Sequence, residues 1–264
     1  MSNAADLALI VEAALEAGAL AATLRRRGLE IEYKQGDGSP VTNADLAADA
    51  LLTERLRAAR PDYGWLSEET ADDAERLSCR RLFVVDPIDG TRAFLNDKPW
   101  WAVSIAVVEG ERPTAGVVFA PQLEETYAAA VGKGATLNGR PIRASAATTI
   151  EGSGMVADPR LFTLPHWPRP WPQMRVAQRN STAYRMCLVA SGAFDAAVTL
   201  MQKHDWDLAA ADLIANEAGC FVGNHTGAGF AYNGARPVQA NLVCAAPGLA
   251  PLILERVSHI AAPT

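Results

Sequence analysis

From about Ala4 to Arg27, apolar residues recur at helical spacing. These are Leu7, Ile10, Val11, Ala14 and Leu15, in an Ala- and Leu-rich stretch that also carries Asp6, Glu12 and Glu16. The pattern predicts an amphipathic helix. A turn-rich loop, Gly36-Asp37-Gly38-Ser39-Pro40, precedes a second helix that starts near Thr42 and stops at Pro61. Tyr63–Leu66 predicts a short strand leading into Ser67-Glu68-Glu69, and the β-branched run Arg81–Val85 predicts a buried one. Trp101–Val108 and Thr114–Phe119, joined by the charged turn Glu109–Arg112, predict a hairpin. Glu125–Val131 adds a strand closed by Gly132-Lys133-Gly134. Residues 1–140 therefore predict an N-terminal α+β half with a largely antiparallel sheet.

The rhythm changes beyond residue 140. Gly154–Ala157, Phe194–Leu200 and Asn241–Ala245 predict strands. Ser181–Ser191, Trp206–Ala218 (ended by Gly219) and Leu249–Ser258 predict helices, and residues 158–173 form a Pro- and Trp-rich irregular segment. Alternating helix and strand predicts an α/β layer over residues 141–264, with no linker at the boundary.

The net charge of −6 argues against a surface that coats a nucleic-acid polymer, though bound cations can locally reverse the sign for a small anion. Cys79, Cys187, Cys220 and Cys244 lack metal-binding spacing and predict reduced thiols in a cytoplasmic protein. No uninterrupted apolar run of 18 residues occurs, so no membrane span is expected.

Chemistry concentrates in Asp86-Pro87-Ile88-Asp89-Gly90-Thr91-Arg92-Ala93-Phe94. Two carboxylates close a buried strand, Gly90-Thr91 turns the chain, and a helical turn follows. Such a corner suits hard cations on Asp86 and Asp89, and a phosphate on the N–H groups beyond Gly90. Glu68 and Glu69 lie just upstream and Asp207 far downstream, which supplies five acids for a two-metal site. Each has a plain structural alternative. Glu68 and Glu69 could be a solvated pair, and Asp207 could answer the dipole of a first helical turn. Asp45 could close a capping box with Thr42.

Four ordered segments, SPVTNAD (Ser39–Asp45), LSEE (Leu66–Glu69), DPIDGTRAF and DWDLAAADLIANEAG (Asp205–Gly219), resemble the motifs of the inositol monophosphatase superfamily. The resemblance implies an αβαβα sandwich and a Mg2+-dependent, lithium-sensitive phosphomonoesterase using two or three ions. By position, Glu68, Asp86 and the Ile88 carbonyl would hold one metal, and Asp86, Asp89 and Asp207 another. Thr91 and Asp45 would orient and deprotonate the attacking water, helped by Glu68. The Gly90 and Thr91 amides would hold phosphate, Lys34 would lie near the outer metal, and Glu69 would support the ligands. No phosphoenzyme is implied.

LSEE and the T-R-x-F continuation look most like bisphosphate nucleotidases of the CysQ type, which act on 3'-phosphoadenosine 5'-phosphate. Leu200 stands where inositol phosphatases tend to carry an acid. Arg92, Arg185 and Lys203 are candidates for the second phosphate. Inositol-1-monophosphatase and histidinol-phosphate phosphatase, which shares T-R-A-F, are the catalytic alternatives, and a metal- or nucleotide-binding regulator the non-catalytic one. A homodimer is consistent with the family. His204, Trp100-Trp101, Trp167 and Trp171 are either core or substrate-facing.

Overall fold

A computed structural model describes residues 2–35, 38–164 and 167–260. Residues 36 and 37 of the expected loop, and 165 and 166 of the Pro- and Trp-rich segment, lie outside the described residues. Helix α1 (Asn3–Arg27) starts where the Ser2 hydroxyl accepts the Ala5 N–H. Helix α2 (Asn43–Ala59) lies beside it, and both cover one face of a seven-stranded sheet. The strands follow chain order: Gly64–Ser67, Arg81–Asp89, Ala102–Glu109, Arg112–Ala120, Glu125–Ala130, Ala135–Leu137 and Arg140–Pro141. Only the first pair is parallel.

Period-two alternation decides which core each side chain joins. Phe83 and Val85 face α1 and α2, whereas Leu82 and Val84 face the opposite layer. That middle layer is α4 (Thr182–Ala190) and α5 (Asp205–Glu217), after the short α3 (Thr91–Leu95). Its other side packs on a five-stranded sheet in the order Arg175–Ala177, Gly154–Val156, Ala196–Thr199, Leu242–Ala245, Phe221–Gly223. Helix α6 (Ala250–Val257) buries Ala250, Ile253 and Val257 against its outer face. The layers therefore run α, β, α, β, α, the sandwich that the motif resemblance implies.

Three features depart from the sequence reading. The strand expected to stop at Val85 continues through Asp89, with a register shift between Asp86 and Asp89. Successive strand residues point to opposite faces, so two acids three apart would diverge without this irregularity. Short strands that carry little hydrophobic signal are also absent from the sequence reading: Ile31–Tyr33 paired with Pro40–Thr42, Lys203–His204 paired with Val238–Gln239, and the sheet strands Ala135–Leu137, Arg140–Pro141, Arg175–Ala177 and Phe221–Gly223. Finally, α1 is long and apolar enough to cross a membrane by length and composition, although no uninterrupted apolar run reveals it. A third of its most apolar stretch is buried within the protein, with Ile10, Ala13, Ala14, Ala17 and Ala21 fully covered.

The middle layer sits close to the large sheet because small residues meet there. A Cβ on Gly116 would lie 2.8 Å from the Ala210 carbonyl oxygen and 3.0 Å from its Cα. Gly116→Ala should therefore destabilise the fold by about 1–3 kcal/mol, read as a lower urea midpoint with an unchanged slope. An unchanged midpoint would mean that α5 shifts freely on the sheet.

Candidate active site

The extended strand delivers Asp86 and Asp89 to one end of the large sheet, both almost fully buried. The Asp86 carboxylate accepts the Ile88 N–H at 3.0 Å, which folds the chain across Pro87. Gly90 then takes a left-handed conformation (φ 94°) that disfavours a side chain. A Cβ there would also lie 3.0 Å from the Ser181 nitrogen. The turn therefore needs glycine for two reasons.

Asp207 arrives from α5, and one carboxylate oxygen from each of Asp86, Asp89 and Asp207 lies within 4.8 Å of the other two. The neighbouring Asp205 points the other way, accepting the Asn233 N–H and the Gln239 amide, each at 2.8 Å. Asp207 also accepts the His204 N–H at 2.7 Å, so its helix-capping and site-facing readings hold together.

Asp45 likewise divides its two oxygens. Oδ2 accepts the Thr42 N–H at 2.9 Å and the Thr42 hydroxyl at 2.5 Å, completing the capping box. Oδ1 lies 3.4 Å from the Thr91 hydroxyl, which also stands 3.2 Å from the Ile88 carbonyl oxygen.

Glu68 stands outside the three-acid group. The Lys34 ammonium bridges it to Glu69, at 2.9 Å from each carboxylate. Burial opposes charge on Lys34, but the two glutamates outweigh it and hold the ammonium firmly protonated.

Asp89 is gripped from the far half of the chain. It accepts the Ser181 hydroxyl at 2.5 Å, the Thr182 N–H at 3.2 Å and the Ala183 N–H at 2.6 Å, all at the start of α4. Sequence reasoning missed this contact. Ser181 reads from sequence as the first residue of a helix; its hydroxyl accepts the Tyr184 N–H as a cap, and nothing local names its second partner.

The remaining candidates are less centred. Lys203 lies 4.0 Å from Asp207, Arg185 binds the Ser181 carbonyl and Thr182 hydroxyl, and Arg92 is exposed. Trp101 is fully buried, edge-on to Phe94, and Trp167 and Trp171 pack together beside the smaller sheet, as core residues do. Trp100 carries the Arg179 guanidinium on its face at 4.3 Å. His204 stacks on Trp206, with centroids 4.5 Å apart. The pair lines a cleft of about 310 Å³ together with Ser67, Glu68, Thr70 and Arg236.

Electrostatics show what the site favours. Burial, followed by the charges of Glu68, Asp89 and Asp207, pushes Asp86 well above the usual carboxylate range. Burial and Asp207 raise Asp89 to about 6 despite its hydrogen bonds, and burial, helped by the charge of Glu68, raises Asp45 to about 6 against its Thr42 hydrogen bonds. Burial and then Glu68 raise Glu69 to about 7. Clustered hard oxygens that repel one another fit divalent cations that prefer oxygen ligands.

The chain matches the model of the inositol monophosphatase family over residues 3–261. It is 36% identical over 225 residues to a histidinol-phosphatase of Mycobacterium tuberculosis, covering 78% of this chain and 84% of that one. It is 33% identical over 246 residues to an inositol-1-monophosphatase of Mesorhizobium japonicum (86% and 88% covered). Among solved structures, an IMPase of Thermotoga maritima superposes with a TM-score of 0.83 at 28% identity, over 96% of both chains.

Carboxylates whose folded pKa exceeds the unfolded value bind extra protons when folded, so their burial costs stability as pH rises through about 4 to 6. A bound cation offsets this repulsion above that window and competes with protons within it. The rise in Tm on adding a saturating divalent cation should be larger at pH 7.5 than at pH 5. An equal rise at both would mean that the cation binds elsewhere.

Proposed function

Because the chain belongs to the inositol monophosphatase family, we propose that it is a Mg2+-dependent phosphomonoesterase whose substrate is histidinol phosphate. The gathering of Asp86, Asp89 and Asp207 carries the reaction class. With Glu68 and the Ile88 carbonyl, these acids would hold Mg2+, which when bound supplies Lewis acidity to the phosphoryl oxygens and lowers the pKa of water.

The chain's own residues do the rest. The Thr91 oxygen accepts a proton from the attacking water while its hydroxyl proton passes to Asp45 Oδ1, 3.4 Å away. Thr42 fixes the other Asp45 oxygen, so the free one stays aimed at Thr91. The Gly90 and Thr91 amides would position the phosphate at the turn. No residue is needed as a covalent nucleophile.

The histidinol-phosphatase relative and the T-R-A-F string support this choice of substrate. The bisphosphate nucleotidase expected from the motifs needs a cation for its second phosphate. Lys203 lies within 4.0 Å of Asp207, and Arg185 is bonded to Ser181 and Thr182, so each would have to exchange partners. Inositol 1-phosphate is the second reading, carried by the relative of that activity. Against it, Leu200 packs on the hydrophobic cluster of the smaller sheet, where a polyol-binding acid was sought. The buried, unpaired Cys187, Cys220 and Cys244 support a reducing, cytoplasmic setting.

The test is phosphate release with Mg2+ from histidinol phosphate, inositol 1-phosphate, 3'-phosphoadenosine 5'-phosphate and fructose 1,6-bisphosphate. A kcat/KM preference for histidinol phosphate of about 100-fold, ~2.7 kcal/mol, is expected. Preference for another ester reassigns the substrate, and silence on all four leaves the regulator reading. Asp86→Asn should cut turnover at least about 100-fold while the metal-free Tm holds or rises, because a repelling buried charge is lost. Near-normal turnover in that variant would overturn the metal-assisted mechanism.

A further inference from the structure

Helix α2 carries a second buried acid, Asp49, one turn beyond Asp45 and on the same face. The family motifs gave it no task. Its two oxygens are both used on one short segment of chain. Oδ1 accepts the Ser67 hydroxyl at 2.5 Å and Oδ2 accepts the Thr70 hydroxyl at 2.7 Å. The two hydroxyls flank Glu68 and Glu69.

The segment needs such a clamp. Ser67 makes the last paired position with Val85, and the Glu68 N–H still reaches the Val85 carbonyl at 3.2 Å. Past that point the chain leaves the sheet. Within the corner, the Ser67 oxygen accepts the Glu69 N–H at 3.4 Å, and the Thr70 oxygen accepts the Trp65 indole N–H at 3.4 Å. Each hydroxyl thus links the Asp49 carboxylate to a group of its own corner.

We infer that Asp49 is a positioning residue that locks the Ser67–Thr70 corner, so that the Glu68 carboxylate is held toward the Asp86, Asp89 and Asp207 cluster. Both of its carboxylate oxygens are taken up by the Ser67 and Thr70 hydroxyls, so it acts through the backbone on either side of Glu68. The same two turns of α2 therefore serve both halves of the site: Asp45 at Thr91, and Asp49 at the corner that carries Glu68. This inference rests on the proposed role of Glu68 as a metal ligand. Supporting groups of this kind typically change metal affinity by roughly 10–100-fold.

The experiment titrates Mg2+ alone into the full chain by calorimetry and, separately, follows activity against Mg2+ concentration. Asp49→Asn and the double variant Ser67→Ala/Thr70→Val should each weaken Mg2+ binding by about tenfold or more, while kcat at saturating Mg2+ stays within about twofold of wild type. Combining all three substitutions should add little further loss, because the groups act as one unit. Ser67→Ala alone, a milder change, guards against a variant that fails to fold.

Glu68→Gln separates the two readings. If it weakens Mg2+ binding and the Asp49 and hydroxyl variants do not, the positioning role is overturned. If Glu68→Gln leaves Mg2+ binding unchanged, the ligand role on which the inference rests falls first. A loss of Tm in Asp49→Asn with an unaltered Mg2+ titration would make Asp49 merely structural.

Discussion

Negative charge buried against negative charge is the constraint around which the structure is arranged. Asp86 and Asp89 sit almost without solvent at the end of a core strand, and Asp207 faces them within 4.8 Å. A carboxylate in such a place costs free energy unless it is hydrogen-bonded or paired. The fold meets part of that cost through backbone N–H groups and hydroxyls at the start of α4, which also place the positive end of a helix dipole at Asp89. The repulsion that remains is energy available to a cation.

The layering makes this arrangement possible. One end of the large sheet meets the first turns of three helices: α2 through Asp45, α4 through Ser181 and α5 through Asp207. Small residues at the layer contacts, such as Gly116 beneath Ala210, let the helices approach closely enough for short side chains to meet. A bulkier interface would hold the same acids too far apart to share an ion.

What was legible in the sequence was local. The strand-turn-helix corner of Asp86–Phe94 announces itself because β-branched residues, paired acids and a left-handed glycine follow one another directly. The capping box at Thr42 was readable for the same reason. The grip of Ser181 on Asp89 was not, because its partners lie 92 residues apart and a serine before a helix already has a sufficient local task. Asp49 was invisible likewise, since an acid on a helix facing a serine and a threonine 18 and 21 residues later leaves no periodic trace. The Lys34 bridge to both glutamates belongs to this group: the residues were named as candidates, but their mutual pairing is tertiary. The register shift between Asp86 and Asp89 was hidden by Pro87, which reads as a strand end.

Asp205 and Asp207, two residues apart on one helical turn, pull on different parts of the molecule. Asp205 holds Asn233 and Gln239, and the Arg76 guanidinium holds Asn233 and the Gly234 carbonyl from the other side. Residues 235–238, which wall the cleft beside Glu68, are thus a short span fastened at both ends to rigid elements. A wall already ordered before a ligand arrives surrenders little conformational entropy on binding. Under the proposed function, exchanging residues between the two fastenings would change the cleft wall beside Glu68 and leave Asp86, Asp89 and Asp207 in place.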